Sequence, residues 1–571
     1  MPRSKPTSNH HHDAAPPPPR ELSAWLALVV LAAAVWIVYG RSLDAPFIFD
    51  DSLSVLQNRS IAALWPLVGD TEHPGPFNPL IENPMSARPL VNLSLAANFH
   101  FGRFDPRGYR AVNVLLHMSS ALLLWALVWR TLRLPMFGAR FDRAAKWLAL
   151  AVAALWALHP LNTEAVVYVT QRTELLVAFC YLGTLYASLR FWTAASPTAR
   201  KASLLLATLA CLAGAASKEV MVTAPLVVLL FERTFVNSSF RVIVRRSWPL
   251  YLGLSASWLV IAALQIDTPR SESAGFSLGV PLVAWWCTQA QIFIMYMKLA
   301  IWPAPLVIHY ALPQLETFAT AWPYVAAVAS LAAVTFVLLW RRQPAGWLLA
   351  CVFAILAPTH LVPIATEIAA ERRMYLPLAA LVALAVIGSF WLLERVSTRT
   401  QAGWPLKVVG TLAVLLSVAY GIGAARRIAT FHDPVALWRE NVELQPYNHV
   451  AQMNLASVLA ATGNSQDAIE HYRAGVRAKP DFVEGRYHLG LALAAAGRLD
   501  EAITELREVV RRQPDAYKIH NNLGVVLFSA RRLPEAIAEF EKSLELRPDF
   551  VEARENLNRA RQQSVLPKAA Q

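Results

Sequence analysis

From Leu22 to about residue 424 the chain alternates long uncharged apolar stretches with short segments in which lysines and arginines gather. The first stretch, Leu22 to Tyr39, holds no charge and at helical rise is long enough to cross the hydrocarbon core of a bilayer. No small-residue cleavage pattern follows it, so it reads as a retained first span rather than a signal peptide. With 56% hydrophobic residues, 16% charged residues and a mean hydropathy of +0.37, the chain is too apolar for an ordinary soluble enzyme and reads as a polytopic membrane protein. The net charge of +13 does not point to nucleic acid, because the basic residues cluster between apolar runs, a topological pattern. Cys180, Cys211, Cys287 and Cys351 lie inside apolar stretches at no metal-ligand spacing and are expected to be inert.

Residues 1–20, with His10, His11, His12 and four consecutive prolines, have almost nothing to bury and are expected to form a disordered cytoplasmic tail without a metal site. Residues 40–110 form a long first loop, and the membrane region as a whole covers 21–430. Further spans are expected near 111–129, 146–158, 174–192, 203–217, 219–231, 248–265, 322–340, 345–358, 374–392 and 405–424, giving about eleven crossings. Arg130, Arg133, Arg140, Arg143 and Lys146 mark one cytoplasmic turn, Arg200 and Lys201 another, and Arg233, Arg241, Arg245 and Arg246 a third, which puts the first loop outside. Counting 283–301 as a crossing would send Arg341, Arg342, Arg395, Arg399 and Lys407 outside, so that stretch is expected to be re-entrant or interfacial.

From about 434 the composition turns soluble and helix-forming, with a strict period: Pro446, Pro480, Pro514 and Pro548 stand 34 residues apart. Leu455, Leu489, Leu523 and Leu557 keep that register, as do Ala456, Gly490 and Gly524, and Ala468, Ala502 and Ala536. The period is that of tetratricopeptide repeats, here three helix pairs closed by a polar helix over 549–563, within a domain covering 434–571. Asn454, His488, Asn522 and Asn556 share one column and could offer stacked amides to the backbone of an acceptor peptide; the plainer alternative is that Asn is tolerated at a solvent-facing position. The fold class is therefore all-α, a membrane helix bundle followed by an α-solenoid.

In the first loop Asp50 and Asp51 follow closely on the first span, beside Phe47 and Phe49. Burial and a like-charged neighbour could tune one of them as a general base, although Asp before Ser-Leu-Ser-Val is also good helix-cap chemistry. The expected topology brings Arg88, His159, Glu164, Arg172, Glu174, Lys218, Glu219, Glu371, Arg372 and Arg373 to the same membrane face. Each alone could be a structural ion pair, as Lys218 with Glu219 would be; as a set they predict a site at that face.

The motifs Phe49-Asp50-Asp51, Ser86-Ala87-Arg88-Pro89-Leu90, Val112-Asn113-Val114-Leu115-Leu116-His117, His159-Pro160-Leu161-Asn162-Thr163-Glu164-Ala165, Arg172-Thr173-Glu174-Leu175, Ser217-Lys218-Glu219 and Glu371-Arg372-Arg373-Met374-Tyr375-Leu376-Pro377 resemble, in order and together with the repeats, the transmembrane and tetratricopeptide-repeat O-mannosyltransferase family. That family is similar to the wider class of membrane glycosyltransferases that take sugar from a polyprenyl phosphate and carry an acidic pair in the first outer loop. The resemblance implies a lipid-phosphate-linked sugar donor, a protein hydroxyl acceptor held by the repeats, and a multi-pass location in a bacterial inner membrane with periplasmic repeats or in an endoplasmic reticulum with luminal ones. Asp50 matches the leading acid and would be the base, with Asp51 holding the loop or a sugar hydroxyl. The leaving phosphate would find its cation among Arg88, Arg172, Lys218, Arg372 and Arg373, with His159, Glu164, Glu174, Glu219 and Glu371 in support. A monophosphate leaving group and the lack of a His/Cys cluster predict no metal and no cofactor. Two other classes compete with this reading, an oligosaccharide ligase or polymerase using lipid pyrophosphates and a membrane-anchored repeat scaffold.

Overall fold

The computed structural model describes residues 24–80, 83–267, 275, 276, 280–364, 367–396 and 403–565, and over these the chain is helical. The tail with His10 to His12 lies outside the described residues. Helix α1 (Ala24–Tyr39) is apolar on all sides and leads into the first loop, after which α2 (Pro89–Gly102) and α3 (Pro106–Thr131) follow. The start of α3 is set locally: Asp105 accepts a hydrogen bond from the backbone N–H of Arg107, and Pro106 supplies the first helical φ. Next come α4 (Ala145–Ala157), α5 (Thr163–Val167), α6 (Arg172–Trp192), α7 (Pro197–Ala215), α8 (Ala224–Phe235) and α9 (Phe240–Asp267). The membrane region closes with α10 (Leu282–Ile301), α11 (Phe318–Trp340), α12 (Pro344–Leu361), α13 (Pro377–Val396) and α14 (Trp404–Thr430).

Among the described residues, eight helices are long and apolar enough to cross a membrane, or nine if the bent pair Ala145–Ala157 and Pro160–Val167 is one span. Of the expected runs, about eleven in number, three (146–158, 203–217 and 219–231) do not qualify as single helices by length and composition; α7, which holds 203–217, carries Arg200 and Lys201 in its first turns. The run at 146–158 stops at His159-Pro160, where the chain bends by 56°, and the run at 219–231 is interrupted by a 3₁₀ segment, Glu219–Thr223, that leaves α8 only 12 residues long. Hydropathy reads composition along the chain and is blind to such breaks. Helix α10 is unbroken over 20 residues and is not among the helices that qualify as spans. It is held lengthwise to one segment: Trp285 Nε1 donates to the carbonyl of His360, Gln289 to that of Ile368, and Tyr296 Oη to that of Ala370.

The packed centre lies among α3, α4, α6 and α13, where Trp156 Nε1 donates to the Tyr375 carbonyl at 2.8 Å and the ring of buried His117 bonds both Tyr375 Oη (2.7 Å) and the Ala157 carbonyl (2.9 Å). Toward lipid, α11 presents Trp322, Val334, Phe336, Val337 and Trp340, all exposed in the isolated chain. The four cysteines are buried free thiols.

After α14, α15 (Pro434–Leu444) precedes three helix pairs: α16 (His449–Ala461) with α17 (Ser465–Ala478), α18 (Val483–Ala495) with α19 (Leu499–Arg512), and α20 (Tyr517–Ser529) with α21 (Leu533–Leu546). Helix α22 (Val551–Val565) closes the array. The small-residue column exists because the paired helices nearly touch: a Cβ at Gly490 would sit 2.8 Å from Leu506 Cγ, and one at Gly524 would sit 2.7 Å from Phe540. Pro480, Pro514 and Pro548 fall in the turns after the second helices, and Pro446 in the turn after α15, where none can extend the helix before it.

Candidate functional site

The loop after α1 is pinned from three sides before Asp50 is reached. Arg110, buried in α3, donates to the carbonyls of Ala45, Pro46 and Val167, and Arg107 pairs with Asp44. Asn58 and Asn92 sit in the sequence pattern of glycan acceptors, yet both are buried and bonded to each other at 2.9 Å, so they hold the loop to α2 instead. Phe49 (φ +47°) and Ala87 (φ +60°), the residues directly before Asp50 and Arg88, both occupy left-handed backbone conformations. Non-glycine residues keep such geometry only where the surroundings over-determine it.

The two neighbouring acids have opposite fates. Asp51 is fully buried; its Oδ1 accepts from Thr170 N (2.8 Å) and Thr170 Oγ1 (2.7 Å), and its Oδ2 from Ile48 N (3.2 Å). Burial pushes its pKa up to about 6, against the pull of those bonds and of Arg110. No cap bond runs from Asp51 to the following turn, Ser52–Leu56, so the acid ties the loop to the Thr170 turn. Asp50 is only partly buried, and its backbone N–H donates to Tyr168 Oη at 2.8 Å. Desolvation raises the pKa of the Asp50 carboxyl, while Arg372, the Tyr168 hydroxyl and Arg88 favour its charged form and Glu367 opposes it.

Around Asp50 the structure gathers Tyr168, Arg88, Glu164, Glu367 and Arg372. Glu164 is buried and accepts from the Arg372 backbone N–H (3.0 Å) and guanidinium, whose other arm pairs with Glu367. Arg373 donates to the carbonyls of Ile368 (3.0 Å) and Glu367 (2.8 Å). Arg88 is partly buried, and its charge acts on both Asp50 and Lys218, which places it between them.

Several candidates prove to be spent on the scaffold. Arg172 is fully buried and donates to Asn113 Oδ1 (2.8 Å), the Ser94 carbonyl (3.0 Å) and the Tyr109 carbonyl (2.7 Å), joining α2, α3 and α6; it has no arm for a phosphate. The sequence suggested Glu219 as the partner of Lys218; the structure pairs it with Glu174 inside the protein, where burial lowers the Lys218 pKa against the charges of Glu174 and Glu219. His159 Nδ1 accepts from Leu161 N at 3.3 Å and its ring packs on Tyr420, so it shapes the bend after α4. Glu371 faces away from Asp50: its Oε1 accepts from Val307 N (2.6 Å) and Tyr310 Oη (3.1 Å), and burial pushes its pKa up to about 8.

In the amide ladder expected in the array, each asparagine spends one N–H internally. Asn454 donates to the Val450 carbonyl of its own helix (2.8 Å), Asn522 to Tyr487 Oη (2.5 Å) and Asn556 to Asn521 Oδ1 (3.0 Å), while His488 stacks on Tyr472. The last two amide bonds join first helices of successive repeats.

Sequence reasoning missed Glu367 and Tyr168. Tyr168 stands between the Glu164 and Arg172 motifs as the one hydroxyl-bearing aromatic of an apolar run, a signal that could have marked it; Glu367 precedes the Glu371-Arg372-Arg373 motif in a turn with no periodicity to flag it.

The tetratricopeptide repeat model matches residues 442–483, 453–508 and 487–550. Over 508 residues the chain is 24% identical to the human (Homo sapiens) Protein O-mannosyl-transferase TMTC1, covering 80% of this chain and 55% of that protein. It is 21% identical over 471 residues to Protein O-mannosyl-transferase F38B6.6 of Caenorhabditis elegans, covering 80% and 63%. A shorter alignment of 165 residues reaches 33% identity with Protein O-mannosyl-transferase TMTC4 of Homo sapiens, covering 28% and 22%. The chain thus spans less than two thirds of the length of each of these relatives. The likeness to this family extends through membrane region and repeats alike, and the protein is a multi-pass membrane protein.

Proposed function

We propose that the chain is an integral-membrane glycosyltransferase that moves mannose or another hexose from a polyprenyl-phosphate donor to a hydroxyl group, a Ser or Thr of a protein, on the non-cytoplasmic face. The observation that carries this reading is Asp50, a partly buried carboxylate at the membrane face, bonded through its backbone to Tyr168 and set between the charges of Arg372 and Arg88. The names of the relatives fit the same chemistry.

In the proposed step the acceptor oxygen attacks the anomeric carbon as the bond from that carbon to the phosphate oxygen breaks. The electron pair leaves with the phosphate, and the hydroxyl proton passes to Asp50 through an oxocarbenium-like transition state. A carboxyl whose pKa is raised by burial is a better base near neutrality than an exposed one. Arg88 is the cation proposed for the leaving phosphate, because its charge acts on the Asp50 carboxyl itself and the side chain is partly exposed there. A lipid-linked donor is supported by an apolar cavity of about 110 Å³, lined among others by Leu124, Tyr181, Trp347, Cys351 and Ala380, that reaches Leu376, three residues from Arg373. No metal enters this mechanism, and transfer is expected to persist in a chelator.

The repeats and Asp50 are proposed to share one side of the membrane, because Trp438 in α15 packs on Phe49 and the His432 ring bonds the Arg41 carbonyl at 2.9 Å. A cysteine introduced at exposed Asp515 should react with an outside-only reagent, against a background of buried native thiols. The deciding experiment offers purified protein a polyprenyl-monophosphate hexose and, separately, a pyrophosphate-linked glycan. Transfer from the first alone, lost in Asp50→Asn, supports the proposal; transfer from the second, or parent activity in Asp50→Asn, refutes it.

A further inference from the structure

Helix α15 precedes the three helix pairs and packs on α16, and its buried Trp438 and Asn441 also reach outside the array. The Trp438 indole meets the Phe49 ring edge to face with centroids 5.4 Å apart, and Phe49 in turn leans on Tyr168 at 6.4 Å. Phe49 is the residue in left-handed conformation directly before Asp50, so the indole closes the cage that keeps this backbone turned. On the same helix Asn441 brackets His309: its Oδ1 accepts from His309 N (3.0 Å) and its Nδ2 donates to the His309 carbonyl (3.1 Å). Asn448 adds a second donor to that carbonyl at 2.9 Å, and Gln445 accepts from Ala311 N at 2.9 Å. Two residues before His309, Val307 N donates to Glu371, whose neighbour Arg372 faces Asp50.

One helix therefore touches both halves of the reaction centre, the Asp50 half through Phe49 and the Arg372 half through His309, Val307 and Glu371. We infer that α15, through Trp438 and Asn441, is a positioning element of the transfer site, so that the root of the repeat array sets the geometry of catalysis as well as carrying the acceptor arm. The inference rests on the transferase reading for its kinetic consequence, but not for its structural one. Displacing a reacting group by a fraction of a bond length lowers the rate of a step without changing how the donor binds.

The test uses the full-length protein, the polyprenyl-phosphate hexose and a free acceptor peptide too short to engage the array. Trp438→Leu, which keeps an apolar side chain but removes the ring edge, should lower kcat by about tenfold or more with donor KM unchanged. Trp438→Phe should restore the rate to within about twofold of the parent, and Asn441→Ala should lose kcat in the same way. In parallel, hydrogen exchange of the Asp50 and Asp51 amides should accelerate in Trp438→Leu while that of α18 and α19 stays put. Parent kcat on the short peptide, with slowing confined to protein acceptors, would overturn the inference and leave α15 a mere connector. Unchanged exchange at residues 48–52 would overturn it too, and this readout decides even if the parent chain transfers no sugar.

Discussion

At the membrane face and in the repeat array the same side chains, Arg with Glu, are paired under opposite rules. In the array they meet close to water, either along one helix, as Arg511 and Arg512 do with Glu508, or between neighbouring helices, as Arg473 does with Glu501 and Arg507 with Glu535. At the membrane face the partners come from distant parts of the chain, as Arg372 does with Glu164, and the groups are buried. Water screens and replaces a pair of the first kind, whereas a pair of the second kind leaves an uncompensated charge in apolar surroundings when one member is lost. The comparison teaches that charge at the face is organised for a fixed arrangement, and charge on the array for solubility and helix support.

The sharpest break between the regions is expected at Asp50. Asp50→Asn keeps the shape of the side chain but cannot take a proton, and should cut turnover by about a thousandfold with the melting curve unmoved, as measured on purified protein with the lipid-linked donor. Asp51→Asn should do the reverse, since it loosens the Thr170 anchor: a lower melting temperature with a smaller loss of turnover. Next in size is Arg372→Ala, which strands buried Glu164 and leaves Glu367 to Arg373 alone at 3.7 Å, and should destabilise the membrane region by about 3–5 kcal/mol, read by denaturant titration in detergent. A milder test uses pH. Glu371, with a folded pKa raised to about 8, is neutral at pH 7; its contribution to stability is complete below the ordinary carboxylate value and is lost as pH rises through 8. Protection of the amides around Val307, after correction for the intrinsic rise of exchange with pH, should therefore fall between about pH 5 and 8, and Glu371→Gln should abolish that fall. The smallest effect belongs to the array: Glu508→Gln should leave its melting temperature unchanged, and a clear drop would break the contrast between the regions.

The two regions also differ in how far they could be read beforehand. The array was legible because its constraints are periodic: a repeat must offer a small residue wherever Leu506 or Phe540 approaches, so Gly490 and Gly524 appear in register. At the membrane face the residue types were legible and their partners were not. Arg172, Lys218 and Arg373 share the charge sought for a phosphate, yet their ties to Asn113, Glu174 and the Ile368 carbonyl cross sequence separations that no local pattern encodes. The break of one expected run at His159-Pro160 was hidden for a related reason, since a bend lies in geometry rather than in hydropathy. Asp50 and Asp51, adjacent in sequence, were separable only as far as alternate residues point different ways; that Thr170 would take the second acid was not written locally.

The double grip of α15 on Phe49 and His309 has a mechanical meaning. The repeats lean on their neighbours in sequence, and at α15 the array is built in like a beam in a wall. A load on such a beam acts on the wall with a moment that grows with its distance, so a force on an outer repeat reaches Phe49 and His309 with greater leverage than the same force applied at α16.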